Sequence, residues 1–450
     1  MTHLIKRVLP ILAAAALLAT TVPGASRASG LSGLENSEIE MTLSLLTSEF
    51  YKKVDPQTTL DGAHANIVAY LEKLGIKAPH VLQIRAVEDP AQNARELERE
   101  VSSVITAYGT KAGGSRTLTY SAIAGMLASV KDKYTTFLSP REYAALNEGL
   151  DGGNFSGVGI AIAVDEKTKL LIVNDVIPGG PAEKAGVLRG DTILSIDGRS
   201  TKGLTTEQDA KQLRGERGSQ VRLTIERAGK PLTSALAVTR DTIHQPSVYA
   251  KLLDNGIGYA RLTVFGSNTA GELTTALTKL QAQGAKAYVL DLRDNGGGYL
   301  NAAIEVSSKF IPSGPIVSVE SKGGSSTQYD AENTAIPPKP LAVLVNKYTA
   351  SASEITSGAI QDNGVGELIG EKTYGKGVVQ TIHPLPDGSA VKITSARYLT
   401  PHGRDINLVG ITPDIVSVEP KSSKLGDPLT DPQLQSAITY LQGKIAQAGS

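Results

Sequence analysis

Beyond Val248 the chain alternates short apolar, strand-like runs with helical stretches, and no other feature constrains its fold as much. The series runs "GIGYARLTV", "AGELTTALTKLQAQG", "AYVLDLRDNGGG", "LNAAIEVSSKFI", "PLAVLVNKYT", "SEITSGAIQDN" and "GELIGEK". Such alternation specifies an α/β fold in which helices cover a mainly parallel or mixed sheet. Residues 248–420 are assigned to this core, and an amphipathic helix, "DPQLQSAITYLQGKIAQ", closes the chain within 421–450.

Two other textures precede the core. Residues 37–146 read as helical, with apolar residues at helical spacing in "EIEMTLSLLTSEFYKKV", "HANIVAYLEKLG", "ARELEREVSSVITAYG" and "YSAIAGMLASVKDKY". Gly75, Gly109 and "KAGGSR" punctuate them. Residues 153–240 then break into β-type runs separated by Gly and Pro, with a short helix in "GGPAEKAG" and a longer one in "TTEQDAKQLRG". The expected architecture is mixed α/β: a helical N-terminal region, then a β-rich domain inserted ahead of an α/β core. A chain of 450 residues that is 40% hydrophobic can fill two or three cores.

The first residues, "MTHLIKRVLPILAAAALLATTVPGASRASG", set Lys6 and Arg7 ahead of an apolar run and then small residues, the layout of a secretory signal. The run is short for a membrane span, so residues 1–28 are expected to direct export, with the periplasm as destination and an uncleaved anchor as the alternative. Forty-five basic and forty-five acidic residues cancel, which gives no global field to attract nucleic acid. The absence of cysteine removes disulfides, thiolate metal sites and cysteine nucleophiles. No His/Asp/Glu spacing suggests a metal site, and no cofactor is expected. Gly370 to Lys376 spells G-x-x-x-x-G-K, but Gly377 stands where a phosphate-binding loop needs Ser or Thr, and a β-branched run follows where a helix should start.

In "FSGVGIAIAV", glycines 157 and 159 flank Val158 just ahead of an alternating strand. Glycines so placed let successive amides converge on an anion, although Gly-x-Gly before a strand is often only a turn. With "VIPGGPAEKAGVLRGDTILSIDGRS", the module resembles a PDZ domain. The resemblance implies a pocket for a free, apolar C-terminus lined by Gly157, Val158, Gly159 and Ile160.

Three segments of the core bear chemistry. "VLDLRDNGGGYL" runs a buried strand into three glycines, a turn that can aim a backbone amide at a developing oxyanion. "TASASEI" sets Ser351 where a strand gives way to a helix, so Ser351 reads either as a nucleophile or as the cap of an S-x-x-E capping box. "GEKTYGKGVVQTI" supplies Lys376, with Gln380 on the same face of an extended segment. A buried, unpaired Lys376 amine could serve as general base; a solvated loop lysine could not. Among the histidines, His383 in "TIHPLPDGSAV" and His402 in "YLTPHGRDINLVGITPDI" leave a Ser-His-Asp arrangement open.

From Leu118 to Ile415 the chain resembles the carboxyl-terminal processing peptidases, also called tail-specific proteases. The likeness rests on "DKYTTFLSPREY", the PDZ-like module, "LDLRDNGGG", "ASASEI", "GEKTYGKGVVQ" and "RYLTPHGRDINLVGITPDI". It implies a serine endopeptidase with Ser351 as nucleophile, Lys376 as base and Gln380 orienting the base, which with the N-terminal layout gives the expectation of an exported enzyme. The amides of Ala352 and Gly297 would form the oxyanion hole. The implied partners are proteins or peptides with free apolar C-termini, with an activating adaptor and a homo-oligomer both compatible. The stretch "GIKAPHVLQIRAVEDPAQNARELEREVSSV" is extra material within residues 60–118 relative to the family's usual lead-in. The rival class is a non-catalytic tail-binding scaffold on the same fold.

Overall fold

The computed structural model describes residues 31–150, 155–165, 168–177, 179–243, 246–418, 420 and 425–448. The expected export signal, 1–28, lies outside them. Four helices open the described chain: α1 Gly33–Glu49, α2 Pro56–Lys73, α3 Pro90–Tyr108 and α4 Ser115–Ser129. Their starts follow from capping chemistry. Ser32 caps α1 in a reciprocal box with Glu35, and Asp55 and Asp89 cap α2 and α3 with proline in the first turn. Ile39, Leu43 and Leu46 of α1 pack with Leu97, Val101 and Val104 of α3 inside this bundle. The extra stretch between α2 and α3 lies extended across both, held by Gln57, Glu100 and Asn93 to its backbone.

After α4 the chain leaves the bundle. Strand β1, Thr136–Leu138, joins a sheet of the core, and helix α5, Pro140–Leu150, leads to the β-rich domain. That domain begins with β2 Phe155–Gly157 and β3 Ile160–Val164, continues through β4 Leu171–Val176, α6 Pro181–Lys184, β5 Thr192–Ile196, β6 Arg199–Ser200 and α7 Thr206–Leu213, and ends with β7 Gln220–Arg227, β8 Lys230–Pro231, β9 Leu236–Thr239 and β10 Asp241–Ile243. Strands β2 and β10 pair antiparallel where the domain leaves and rejoins the rest of the chain. Its own core gathers Val173, Ile193, Ile196, Val221, Leu223 and Ile225 at zero exposure.

The α/β core has two sheets. One takes β11 Val248–Leu252, β12 Ile257–Leu262, β13 Ala287–Asp291, β16 Leu341–Val345, β17 Glu367–Gly370 and β20 Ile415–Val416 in that order, all parallel from β12 onward, with β11 antiparallel at the edge. The other, antiparallel, is built from β14 Pro315–Ser321, β15 Ser326–Asp330, β18 Val378–Pro384 and β19 Ala390–Leu399, with β1 added to β19. Helices α8 Thr269–Ala282, α9 Leu300–Ser307 and α10 Ala352–Asp362 pack on one face of the parallel sheet, and α11 Pro432–Ala448 packs Leu434, Ala437 and Leu441 on the other. Both faces are covered, so β13 and β16 are apolar throughout except for Asp291. The α/β class, with the β-rich domain ahead of the core, is as the sequence implies.

Asp291 belongs to a buried charge network at the end of β13. The Arg293 guanidinium, at zero exposure, donates to both oxygens of Asp291 at 2.9 and 2.6 Å, to both oxygens of Asp431 at 2.9 and 2.7 Å, and to Gln433 at 3.0 Å. Tyr259 adds a hydroxyl to Asp291 at 2.7 Å. Two bidentate carboxylates satisfy the fork, which makes a buried arginine tolerable here. The start of α11 is thereby bolted beneath the turn that follows β13.

Candidate active site

The parallel sheet delivers two of its strand ends to one place. Beyond β16 the chain turns through Asn346–Ala350 and enters α10. Hydrogen bonds tie this turn and the start of α10 to the turn that follows β13: Thr349 Oγ1 donates to the Leu292 carbonyl at 2.9 Å, the Ala350 amide and Ser353 Oγ donate to the Asn295 carbonyl at 3.0 Å each, and Asn346 and Asp294 bond reciprocally at 2.9 and 3.1 Å. Ser351 sits at the junction with φ 58° and ψ −120°. A non-glycine residue there is strained by about 1–3 kcal/mol, and the same sharp strand-to-helix turn lifts a nucleophilic serine clear of its backbone in other hydrolase folds.

The capping-box pairing is present but lopsided. The Ser351 amide donates to Glu354 Oε2 at 2.9 Å, whereas the Glu354 amide donates to the Ser351 carbonyl at 2.7 Å, and no side-chain cap bond forms to the hydroxyl. Glu354 does more than close a box. It is completely buried, and Oε2 also accepts the Lys376 amide at 2.9 Å, while Oε1 accepts the Gly375 amide at 2.7 Å and Thr373 Oγ1 at 2.6 Å. From the other side the buried Tyr398 hydroxyl lies 3.1 Å from the Ser351 carbonyl and 2.5 Å from that of Lys376. Two side chains thus clamp the loop of Lys376 against the turn of Ser351. Neither clamp is readable in the sequence; only the S-x-x-E spacing hinted at Glu354.

The Lys376 side chain is largely withdrawn from water. Burial lowers its amine to about 8, and repulsion from Lys392 pushes the same way, against the opposing pull of Glu354 and Asp132. The ring of Tyr134 covers the amine, 4.9 Å from Nζ to centroid. Tyr134 comes from the loop between α4 and β1, which is anchored by Asp132: its Oδ2 takes Thr135 Oγ1 at 2.7 Å and Thr394 Oγ1 at 2.5 Å. The helical region therefore contributes directly to the surroundings of this lysine.

The glycine turn presses against Ser351. Gly297, at φ 99°, would place a Cβ 2.8 Å from Ser351 Cβ and from the Ala352 amide nitrogen, and Gly298 a Cβ 2.2 Å from the Phe265 carbonyl oxygen. Only glycine fits either position. The family resemblance implied the Gly297 amide as an oxyanion donor; that N–H donates to Asn295 Oδ1 at 2.9 Å. The amides of Gly298 and Ala352 have no acceptor among the described residues.

A cavity of about 300 Å³ joins these parts, lined by Ser351, Ala352, Gly298, Lys376, Gln380 and Lys392 among others. Leu146 and Leu150 of α5 and Ile355 of α10 supply apolar wall. Gln380 lines it, but a register shift between Val379 and Gln380 breaks the simple alternation with Lys376, and its Nε2 donates to the Val378 carbonyl at 3.2 Å. His383 is bonded to Glu49 at 2.7 Å and His402 lies against Asp362, so neither reaches the cavity. Gly157 to Ile160 lie at the β2–β3 corner of the β-rich domain, away from this cavity, with Gly159 at φ 77°.

A strained serine, a buried amine of lowered basicity and two unoccupied amides in one cavity are the parts that acyl transfer needs. Residues 256–417 match the model of peptidase family S41, and residues 172–227 that of a PDZ domain. The carboxyl-terminal-processing protease of a Picosynechococcus species is 43% identical over 326 residues, which are 72% of this chain and 78% of that one. The carboxy-terminal processing protease CtpA of Bacillus subtilis is 39% identical over 327 residues, 72% of this chain and 69% of its own. The solved structure of a photosystem II D1 C-terminal processing protease is 31% identical and covers 86% of this chain and 94% of that one with a TM-score of 0.47.

Proposed function

As a member of the carboxyl-terminal processing proteases of peptidase family S41, this chain is a serine-type peptidase acting on proteins, and we propose that Ser351 and Lys376 are its catalytic dyad. The reading rests on one observation: the backbones of both residues are clamped to Glu354 Oε2 beside a single cavity, with the Lys376 amine brought down to about 8. Neutral Lys376 takes the proton of the Ser351 hydroxyl as the oxygen attacks the scissile carbonyl. It returns a proton to the leaving amine, and water then releases the acyl group by the same route. The tetrahedral oxygen is held by the Ala352 amide and, in place of Gly297, by that of Gly298. Losing one such donor raises the barrier by about 3–4 kcal/mol. Gln380 steers the base: its Nε2 is engaged by Val378, which leaves Oε1 to accept from the Lys376 amine.

Residues 157–160 of the PDZ domain are proposed to capture the free, apolar C-terminus of a substrate, and residues 1–28 to export the protein to the periplasm. No helix among the described residues is long and apolar enough to cross a membrane. Digestion of a loosely folded protein such as casein tests the dyad: the wild type cleaves, while Ser351→Ala and Lys376→Ala do not. A wild type without activity would favour the tail-binding scaffold. Full activity in Lys376→Ala would remove the base from the scheme. Deleting residues 153–240 tests the capture step, which predicts loss of preference for apolar C-termini.

A further inference from the structure

The cavity holds a second lysine. Lys392 lies on β19, opposite Ile382 of β18 on one side and Thr136 of β1 on the other, and its half-buried side chain lines the cavity with Lys376 and Gln380. Lysines withdrawn from water are ordinarily paired. Among the described residues the Lys392 amine makes no hydrogen bond or ion pair; burial lowers its proton affinity below the ordinary lysine range, and Asp132, acting from a distance, offsets this in part and favours the ammonium. The Asp132 oxygen that takes Thr135 and Thr394 is already occupied.

The charges facing Lys376 come from three elements. Glu354 lies on α10, Asp132 and Lys133 on the loop that also carries Tyr134, and Lys392 on β19. The Glu354 carboxylate already accepts four donors, which leaves little of its charge for the amine. Lys133 is exposed and donates to the Tyr374 hydroxyl at 3.1 Å. Among the described residues, Lys392 is therefore the one cation that lines the cavity beside Lys376. Like charges beside apolar walls repel strongly enough to shift a neighbour's proton equilibrium about tenfold or more.

We propose that Lys392 is a positioning residue for the base: a second ammonium in the same cavity that disfavours a proton on Lys376 and so holds that amine ready to accept one from Ser351. The proposal rests on the Ser351–Lys376 reading and deepens it. Burial is the larger influence on the Lys376 amine, and the Lys392 charge adds to it.

The test is the pH profile of kcat/KM for the full chain on two peptides, one ending in an apolar residue and one in Glu. Lys392→Met keeps the stem and removes the charge. Its acid limb should move to higher pH by about one unit, so that activity at pH 7 falls about tenfold and is regained on raising the pH, with KM unchanged for both peptides. Lys392→Arg should keep the wild-type limb, and Lys392→Gln gives the neutral readout if the Met variant does not fold. The proposal is overturned if the limb stays in place, whether KM rises for the acidic peptide alone, which would make Lys392 a substrate-carboxylate site, or kcat drops equally at every pH. Lys376→Ala run alongside keeps the two levels apart: retained activity there sinks the dyad itself, whereas an unshifted limb over an inactive Lys376→Ala sinks only the role of Lys392.

Discussion

The amides of Ser351 and Lys376 converge on a single atom, Oε2 of Glu354, at 2.9 Å each. A nucleophile and its base are therefore registered through their backbones, with no direct contact between their side chains needed to hold them in place. Oε1 is equally occupied, by Gly375 and Thr373.

That double occupancy predicts a severe Glu354→Gln phenotype. Whichever way the amide turns, its NH₂ faces two donors in place of an acceptor, and leaving such buried groups unsatisfied costs about 1–3 kcal/mol each. Peptidase kcat should fall about tenfold to a hundredfold or more with a lowered melting temperature, and Glu354→Ala should be less stable still. Wild-type kcat in the Gln variant would show that the clamp is dispensable.

Activity should follow the neutral form of Lys376. With the amine at about 8, kcat/KM should rise about tenfold per pH unit up to about pH 8 and level off beyond. A limb near pH 6.5 would instead point to a histidine base. A stopped assay on a fluorogenic peptide from pH 5.5 to 9.5 measures the limb.

The same lysine should weaken the fold. Unfolded, its amine titrates near 10.5; folded, near 8. The folded state thus resists protonation, an effect fully present below about pH 8 and lost as the pH rises through 10.5. Lys376→Met should accordingly raise stability at pH 7, by roughly 1–3 kcal/mol after discounting for partial exposure. The gain should shrink by pH 10, as paired thermal melts of the two proteins would reveal.

Gly297→Ala should disable the site and lower the melting temperature as well. Its Cβ would press on Ser351 Cβ and the Ala352 amide at 2.8 Å, at a φ of 99° that alanine resists. Displacing that amide should lower kcat about a hundredfold or more with little change in KM. Normal turnover in this variant would argue that the glycine turn does not border the reaction.

Local signals carried much of this molecule. The run of "PLAVLVN" into "TASASEI" marked a strand-to-helix turn at Ser351, and "LDLRDNGGG" marked a strand ending in glycines; the structure brings both turns together with Lys376. What stayed hidden is what long-range contact decides. Glu354 looked like half of a capping box, because nothing local announces that its second oxygen is shared with residues 373–376. Tyr398, Tyr134 and Lys392 sit on or near strand periods that signal burial but not the identity of a neighbour. The commitment of the Gly297 amide to Asn295 was equally invisible, since three successive glycines offer no clue as to which amide is left over. Gln380 fell on the expected strand, but the irregular pairing with β19 turned it away from simple alternation.

The pairing of Arg293 with Asp431 ties the turn beneath Ser351 to a residue 138 positions further along the chain. Until residue 431 has docked, an arginine lacks half of its anions directly under the turn that borders Ser351. Without that residue the turn beneath Ser351 would rest on a half-neutralised cation. Asp431 thus bears on the ground beneath the serine without itself lining the cavity.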